Sequence, residues 1–325
     1  MLPITASSLP SFASRTCLIT GGSSGIGYST ALLLSSLGCN VLIGDLQPPP
    51  PSTPRQIAFL STDITSYAAV LKLFRHCKAG FGVYPDIVFA NAGIGERGDV
   101  FSVVSDEEIE VEPNHEVLEL DLKAAANTVR LAWWGMKKEN VAGSIVLTAS
   151  VAGYAPQPGL PMYVEPPRRP RCPCSSPPFS ADVLRRYNAA KHGVVGLVRS
   201  LRYLGPKDNI AVSLVAPAIT ETAILTTAAT SSESVASSLK AAGVPVNTPE
   251  RVAEVVAYLM GLGQAASGMG LMVQGGEVVD LEKGIAGNRN AWMGERMASM
   301  YRSGTGVKGA RIFEAAVKVG QKSKL

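Results

Sequence analysis

Seven short runs of apolar and β-branched residues recur along the chain, and most are separated by segments long enough for a helix. The runs cover residues 16–20, 41–45, 57–63, 86–91, 144–150, 210–217 and 270–276. Strands that are apolar at nearly every position are typical of parallel sheets covered on both faces. The pattern therefore predicts an α/β architecture with a doubly wound, seven-stranded parallel sheet in a single domain.

The segments between these runs predict helices at 25–37, 66–79, 115–138, 187–204 and 249–260. Gly38, Gly80 and Gly205 stand where helix ends are expected. The proline-rich stretch 47–54 predicts a surface loop, because proline lacks the N–H donor of regular structure. We expect a domain over 14–283, an N-terminal extension over 1–13 and a C-terminal tail over 284–325.

Composition narrows the class of protein. The chain has 325 residues, of which 46% are hydrophobic and 17% charged, as in globular proteins. A formal charge of +4 is too small to indicate nucleic-acid binding. No apolar run approaches the roughly 18 residues of a membrane span, and the first 15 residues lack the pattern of a secretion signal. With an odd number of five cysteines, we expect a soluble protein of the reducing cytoplasm, with no membrane partner.

A glycine-rich turn follows the first predicted strand and precedes the first predicted helix, in "TCLITGGSSGIGYSTALLL". Glycine permits a tight turn and a close approach of the backbone to a pyrophosphate, whose charge is stabilised by the N–H groups at a helix N-terminus. The strand–turn–helix context predicts a dinucleotide site. Its residues are Gly21, Ser23, Ser24, Gly25, Ile26 and Gly27.

Asp45 ends the second predicted strand, where an acidic residue accepts hydrogen bonds from the adenosine ribose. A carboxylate there repels a 2′-phosphate, and the turn has no lysine or arginine to attract one. The sequence therefore favours NAD over NADP as the cofactor.

Four segments in this order resemble the short-chain dehydrogenase/reductase family: "TGGSSGIG" at 20–27, "NAG" at 91–93, Ser150, and "YNAAK" at 187–191. The resemblance runs from about residue 14 to residue 280, apart from residues 161–187. It implies a Rossmann fold and an NAD(P)-dependent alcohol dehydrogenase or reductase. It also implies that Asp63 approaches the adenine, that Asn91 lines the cofactor channel, and that Ser150, Tyr187 and Lys191 perform the chemistry.

The tyrosine and lysine of "YNAAK" are four residues apart and therefore lie on one face of a helix. A nearby ammonium favours phenolate, so Tyr187 is expected to accept the proton of an alcohol, or to donate it in reduction. Ser150 is expected to bind the substrate oxygen, and Lys191 the nicotinamide ribose as well.

Two positions differ from the family's pattern. Asp121 stands where the family usually has an asparagine that supports a water linked to the active lysine. Ala218 replaces the glycine that usually follows the proline after the sixth strand, whereas Thr220 and Thr222 are still expected to meet the nicotinamide amide and the phosphates. Lys123 is either a cofactor-side contact or a solvated helix lysine.

A segment of 24 residues, 164–187, interrupts the expected spacing. The family reaches its tyrosine 13 residues after the serine, which is Tyr163 here, and removing 164–187 would join Tyr163 to Asn188 as "YNAAK". We interpret the segment as translated non-coding sequence, with a genuine surface loop as the alternative. When the segment is present, Tyr187 is the tyrosine in helical register with Lys191. Its Cys172 and Cys174 have no partner cluster, and no metal site is expected.

Small and apolar side chains predominate over 219–247, which suits a lipophilic secondary alcohol or ketone. The tail segment "NAWMGERM" and Asp45 are faintly similar to the hydroxyprostaglandin dehydrogenase-like branch. Two alternatives stay open: an NADPH-dependent ketoreductase of specialised metabolism, and a catalytically silent dinucleotide-binding protein. The family resemblance implies a homodimer or homotetramer formed through the helices at 115–138 and 187–204.

Overall fold

One eight-stranded sheet organises the fold in the computed structural model, which describes residues 1–96, 105–155, 185–225 and 232–304. The strand order is β3-β2-β1-β4-β5-β6-β7-β8. The strands are β1 Thr16–Thr20, β2 Asn40–Asp45, β3 Ile57–Ser61, β4 Ile87–Ala90, β5 Gly143–Thr148, β6 Ile210–Pro217, β7 Gly270–Gln274 and β8 Glu277–Asp280.

The strands from β3 to β7 pair in parallel, as the sequence predicts. The eighth strand was not predicted. Gly275 and Gly276 connect β7 to β8, and both have the positive φ that a two-residue hairpin turn needs. A connection this short makes β8 antiparallel to β7. The predicted run 270–276 therefore combined a strand with its turn, and the four residues of β8 are too few to show a clear pattern.

Helices connect most of the successive strands and cover both faces of the sheet. All five predicted helices are confirmed, but two of them end elsewhere than predicted. Helix α2 contains Gly80 and is capped by Gly82, whose φ is 78°, and α6 ends at Leu201, because Gly205 begins the next helix. The third predicted helix consists of α4, a π-helical turn over Glu119–Ala124, and α5. The helices are α1 Gly25–Ser36, α2 Tyr67–Phe81, α3 Asp106–Ile109, α4 Glu116–Leu118, α5 Ala125–Glu139, α6 Arg185–Leu201, α7 Gly205–Asp208, α8 Ser232–Ala241, α9 Pro249–Leu262, α10 Leu281–Gly287, α11 Arg289–Met293 and α12 Glu295–Gly304.

Alternate strand residues belong to two different hydrophobic clusters because successive side chains of a strand point to opposite faces. Leu18 packs in one cluster with residues of α2, α5 and α6. Ile19 packs in the other with residues of α1 and α9. Ile4 and Phe12 are also buried in that second cluster, so the first 13 residues contribute apolar side chains to the core. Because both faces of the sheet are covered, the strands are apolar at nearly every position.

The chain separates into two compact units, Met1–Val279 and a second unit that begins at Asp280. The first unit contains the parallel sheet and the helices up to α9. The second contains α10, α11 and α12, with Trp292 and Met297 exposed. The assignment of 14–283 as the catalytic domain and 284–325 as a tail stays a proposal.

Candidate active site

A cavity of about 460 Å³ opens at the carboxyl ends of the parallel strands. The chain runs from β1 to β2 and β3 on one side of the sheet, and from β4 to β7 on the other, so β1 and β4 are neighbours at the point where the direction reverses. Ligands of doubly wound sheets bind at such a point. Most predicted site residues line the cavity: Gly21, Ser24, Gly25, Ile26, Asp45, Asp63, Asn91, Ser150, Tyr187, Lys191, Thr220 and Thr222.

The glycine-rich turn closes tightly against its neighbours. Gly21 has a φ of 66°, and a Cβ there would lie 2.6 Å from the Cα of Ala92. A Cβ on Gly27 would lie 2.1 Å from the carbonyl oxygen of Gly21. Ser24, Gly25 and Ile26, at the N-terminus of α1, line the cavity. The Ser24 side chain makes no capping hydrogen bond, so the first N–H groups of α1 are available to a ligand. A pyrophosphate fits this cradle, and the two glycines let the backbone close tightly around it.

Asp45 connects the end of β2 to this turn. Its Oδ2 accepts a hydrogen bond from the Ser23 N–H at 3.1 Å, and its Oδ1 accepts one from the Gln47 N–H at 3.3 Å. The Ser23 hydroxyl donates to the carbonyl oxygen of Gln47 at 2.6 Å. Asp45 lines the cavity, whereas Ser23 and Gly27, which were also predicted to bind the cofactor, do not.

Asn91 joins the carboxyl ends of three strands. Its Nδ2 donates to the Gly21 carbonyl oxygen at 2.9 Å, and its Oδ1 accepts from the Thr148 hydroxyl at 3.0 Å. Asp63 lies further along the cavity wall and accepts from both the N–H and the hydroxyl of Thr65. These hydrogen bonds hold the side chains of Asn91 and Asp63 in place in the cavity wall.

Tyr187 and Lys191 project from one face of α6, as their spacing predicts. The Lys191 Nζ lies 5.3 Å from the centre of the Tyr187 ring and donates to the Thr148 carbonyl oxygen at 3.2 Å. Ser150 lies close enough to the Tyr187 phenol to lower its pKa. The Ser150 Oγ also accepts from the Ala152 N–H at 3.1 Å, which holds it at the end of β5. A serine, a phenol and a lysine thus meet in the cavity wall.

Burial raises the pKa of the Tyr187 phenol, and the charge of Asp121 adds to this effect, while Lys191 and Ser150 oppose it. The effect of burial outweighs that of Lys191, and the spacing of the two residues does not reveal it. Burial lowers the pKa of Lys191, but the charges of Asp121 and Tyr187 outweigh burial and raise it. The lysine therefore stays charged and the phenol stays protonated at neutral pH in the chain alone.

Asp121 is the ion-pair partner of Lys191. Its Oδ2 lies 3.1 Å from the Lys191 Nζ, and both side chains are buried. Its Oδ1 accepts a hydrogen bond from the Ile94 N–H at 2.8 Å. Asp121 lies in the π-helical turn between α4 and α5, a feature that is frequent at functional sites. The carboxylate therefore contacts the lysine directly.

The structure does not bring Lys123 to the cavity. Its ammonium pairs with Glu119 at 2.6 Å on an exposed face. Residues two apart on a helix do not share a face, so a residue two positions beyond Asp121 points elsewhere. Thr220 and Thr222 do line the cavity, with the hydroxyl of Thr222 donating to the Thr220 carbonyl oxygen at 3.3 Å.

Sequence reasoning missed two charged residues beside Tyr187. The Arg186 Nε donates to the Glu96 Oε1 at 2.5 Å, and both side chains are buried. The Tyr187 N–H donates to the Glu96 Oε2 at 2.8 Å. Nothing in the segment "GIGERG" distinguishes Glu96 from a solvated loop residue. Tyr163, Cys172 and Cys174 lie outside the described residues.

The remaining wall of the cavity is mainly apolar, and its side chains include Ile94, Leu120, Val151, Ile224 and Leu225. Among the described residues, no group of three or more histidine, cysteine or acidic side chains could hold a metal ion. Over the same part of the chain, every helix is too short or too polar to cross a membrane. The arrangement can bind a dinucleotide beside an apolar molecule and exchange a proton through a phenol.

Two family profiles match most of the chain. The profile of the short chain dehydrogenases matches residues 15–164, and that of the enoyl-(acyl carrier protein) reductases matches residues 180–277. Neither matched region includes residues 165–179, which belong to the interrupting segment 164–187.

The chain is similar to the short-chain dehydrogenase/reductase prx4 of Penicillium roqueforti, with 31% identity over 93% of this chain and 87% of that protein. It is also similar to cis-4-hydroxycyclohexanecarboxylate dehydrogenase of Sinomonas cyclohexanicum, with 29% identity over 76% of this chain and 90% of that protein. A solved 3-ketoacyl-(acyl-carrier-protein) reductase from Brucella melitensis, in complex with NADH, shares the fold, with a TM-score of 0.62, 23% identity, and coverage of 82% of this chain and 99% of that one. The chain belongs to the short-chain dehydrogenase/reductase family of nicotinamide-dependent oxidoreductases.

Proposed function

We propose that the protein interconverts a lipophilic secondary alcohol and its ketone with NAD, using Tyr187 as the acid and base. The observation that supports this proposal best is the meeting of Ser150, Tyr187 and Lys191 in the wall of one largely apolar cavity.

The residues of the cavity fit a nicotinamide dinucleotide. The N-terminus of α1 would hold the pyrophosphate, Asp45 the adenosine ribose, and Asp63 the region of the adenine. Asn91 and Lys191 would hold the nicotinamide side, together with the two threonines after β6. When bound, this cofactor accepts a hydride from the carbon that bears the substrate hydroxyl, or returns one to the ketone.

The side chains of this chain manage the proton. In oxidation, the Tyr187 phenolate takes the proton of the substrate hydroxyl, and in reduction the phenol returns it. Ser150 donates a hydrogen bond to the substrate oxygen, which orients the reacting carbon. Lys191 keeps a positive charge beside the phenol and so opposes the effect of burial on its pKa. The acid, the base and the orienting group thus come from α6 and the end of β5.

NAD is the favoured cofactor because a carboxylate, Asp45, lines the cavity at the end of β2. Hydrogen bonds from the turn hold this carboxylate in place, where it would repel a 2′-phosphate. No lysine or arginine occurs in the turn at 20–27. The alternative, an NADPH-dependent ketoreductase, would require NADP to bind more tightly than NAD.

An apolar substrate fits the side chains of Ile94, Val151 and Ile224. The relative from Sinomonas cyclohexanicum is named for a cyclic secondary alcohol. We therefore place lipophilic secondary alcohols, including cyclic ones, first among the substrates to be tested. The faint similarity of the tail segment and Asp45 to the hydroxyprostaglandin dehydrogenase-like branch also favours NAD-dependent oxidation, and it identifies no substrate.

A catalytically silent dinucleotide-binding protein is the second candidate function. The buried Asp121 favours it, because its charge counteracts that of Lys191 at the phenol and so disfavours phenolate. Binding of NAD without hydride exchange across a broad panel of alcohols and ketones would support this candidate.

A homodimer or homotetramer and a cytoplasmic location also stay proposals. Analytical ultracentrifugation checks the oligomeric state, and cell fractionation checks the location.

The experiment that tests the proposed function compares Tyr187→Phe with Tyr163→Phe. NADH formation from a panel of secondary alcohols is followed by absorbance, and NAD affinity is measured by titration. Loss of the phenol at Tyr187 should lower kcat by about 10²- to 10⁴-fold, with NAD affinity nearly unchanged. Tyr163→Phe should retain activity. The opposite result for the two variants would refute the assignment of Tyr187.

A further inference from the structure

Glu96 lies in the loop that follows β4 and contacts the start of α6 through both of its carboxylate oxygens. One oxygen accepts from the Arg186 guanidinium and the other from the backbone N–H of Tyr187. Arg186 also donates to the carbonyl oxygen of Asn114, in the segment before α4. Three separate parts of the chain therefore meet at this pair of charges, immediately beside the tyrosine of the proposed reaction.

The Glu96–Arg186 pair affects the stability of the fold because both side chains are buried. The exposed fractions of the two side chains are 3% and 6%. Removing one partner of a buried ion pair leaves an unpaired charge and is strongly destabilising, whereas replacing both partners with apolar residues of similar size is often tolerated. Such a pair opposes movement of α6 away from Glu96, because that movement would separate two buried charges.

The hydrogen bond from the Tyr187 N–H to Glu96 satisfies a donor that α6 itself leaves without a partner. Tyr187 is the third residue of α6, and an N–H in the first turn of a helix has no partner within the helix. A carboxylate at this end of a helix is favoured by the helix dipole. Glu96 therefore fixes the backbone of Tyr187 from outside the helix.

The same loop also holds Lys191. The Ile94 N–H donates to the Oδ1 of Asp121, whose other oxygen pairs with the Lys191 ammonium. Two residues further on, Glu96 binds the backbone of Tyr187. The loop after β4 is thus connected to both functional residues of α6. It contacts Tyr187 through the backbone N–H of that residue, and it contacts Lys191 through Asp121.

We propose that Glu96, held by Arg186, is a positioning residue that sets the place of Tyr187 through its backbone N–H. The proposal rests on the proposed function, in which Tyr187 transfers the proton. It assigns a role to a residue of the interrupting segment, because Arg186 is the next-to-last residue of 164–187. A displaced phenol should slow the chemical step on the order of 10²-fold while leaving the cofactor turn intact.

Two double variants separate positioning from simple neutralisation of charge. E96Q/R186M removes both charges and keeps an amide oxygen that can accept from the Tyr187 N–H. E96L/R186M removes both charges and that acceptor. We expect E96Q/R186M to keep a kcat close to that of the parent chain, and E96L/R186M to lose on the order of 10²-fold in kcat with KM for NAD little changed. Equal kcat values in the two variants, with both folded, would overturn the proposal.

Glu139→Gln is the matched control. Glu139 also accepts from a basic side chain and a backbone N–H, those of Lys78 and Tyr84, but it does not line the cavity. This variant should leave kcat unchanged. A fall in kcat equal to that of E96L/R186M would show a general loss of structure, and would also overturn the proposal.

Hydrogen exchange at the Tyr187 amide gives a second measurement that needs no substrate. Exchange should be faster in E96Q/R186M than in the parent chain, because a neutral amide accepts less strongly than a carboxylate. Unchanged exchange would overturn the proposal even if E96L/R186M does not fold. A parent chain that transfers no hydride would instead refute the proposed function, while amide exchange would still decide the role of Glu96.

Discussion

At the scale of single residues, the buried carboxylate of Asp121 defines the electrostatics of the site. It pairs with the Lys191 ammonium at 3.1 Å and takes a hydrogen bond from the Ile94 N–H. The family's pattern places an uncharged asparagine at this position. The charge stabilises protonated Lys191, and it also raises the pKa of Tyr187 beyond the effect of burial. Oxidation through a phenolate is therefore expected to be favoured at alkaline pH.

Asp121→Asn should move the pH dependence of oxidation to lower pH. Without the carboxylate, one cause of the raised Tyr187 pKa disappears, so the phenolate forms at a lower pH. The measurement is kcat for alcohol oxidation across the rising limb of the pH profile. Glu119→Gln is the control, since Glu119 lies in the same π-helical turn but pairs with Lys123 on the surface. A rising limb that stays in place, or moves to higher pH, would refute the role of Asp121.

Asp45→Asn should weaken NAD binding and improve NADP binding. Hydrogen bonds to a charged group contribute about 1.5–3 kcal/mol, so the Kd for NAD should rise by about tenfold or more. The Kd for NADP should fall, because the charge that repels its 2′-phosphate is removed. Both constants are measured by titration of the purified chain. If the parent chain already bound NADP more tightly than NAD, the cofactor assignment would be wrong.

At the scale of elements, the cofactor site depends on how closely α1 follows β1. The turn between them brings Gly27 so close to Gly21 that a Cβ would lie 2.1 Å from a backbone oxygen. Because the obstacle is backbone rather than a flexible side chain, α1 must move to accept any larger residue. Its N-terminus would then leave the position from which it faces the cavity.

Gly27→Ala should therefore weaken NAD binding severely and lower the free energy of unfolding by about 1–3 kcal/mol. Gly196→Ala is the matched control. Gly196 lies within α6, and an added Cβ would meet no atom within 4 Å. Alanine there should raise the free energy of unfolding by about 0.5–1 kcal/mol. Chemical denaturation and NAD titration check both variants, and normal NAD affinity in Gly27→Ala would contradict this account of the turn.

At the scale of the whole molecule, the interrupting segment 164–187 supplies one residue of the cavity wall and the charged residue next to it. Tyr187 lines the cavity, and Arg186 pairs with Glu96. Removal of the segment would place Met162 and Tyr163 before Asn188. A methionine cannot pair with Glu96, so the shortened chain would bury a carboxylate without its cation.

Glu96→Gln should consequently have opposite effects on stability in the two chains. In the full chain it removes one charge of the buried pair with Arg186 and should lower the free energy of unfolding by up to about 3–5 kcal/mol. In a chain that lacks 164–187 it removes an unpaired buried charge and should raise the free energy of unfolding. Urea denaturation of the four proteins measures both effects. The same sign in both chains would show that Arg186 is not the partner that matters to Glu96.

Peptide mapping of the native protein across residues 150–200 decides which of these two chains occurs naturally. The interpretation of 164–187 as translated non-coding sequence stays a prediction, and so does the alternative of a genuine loop. Finding the segment would make Tyr187 the only tyrosine in helical register with Lys191, whereas its absence would give that place to Tyr163.

The sequence by itself determined the alternation of strands and helices, the dinucleotide turn, and the shared helix face of Tyr187 and Lys191. These features depend on residues close together in the chain, whose periodicity and glycine positions are visible as a pattern. Only the tertiary structure decided that Asp121 contacts Lys191, that Lys123 points away, and that Glu96 meets Arg186. That last contact joins residues 90 positions apart, and it exists because the parallel sheet brings the end of β4 beside the start of α6.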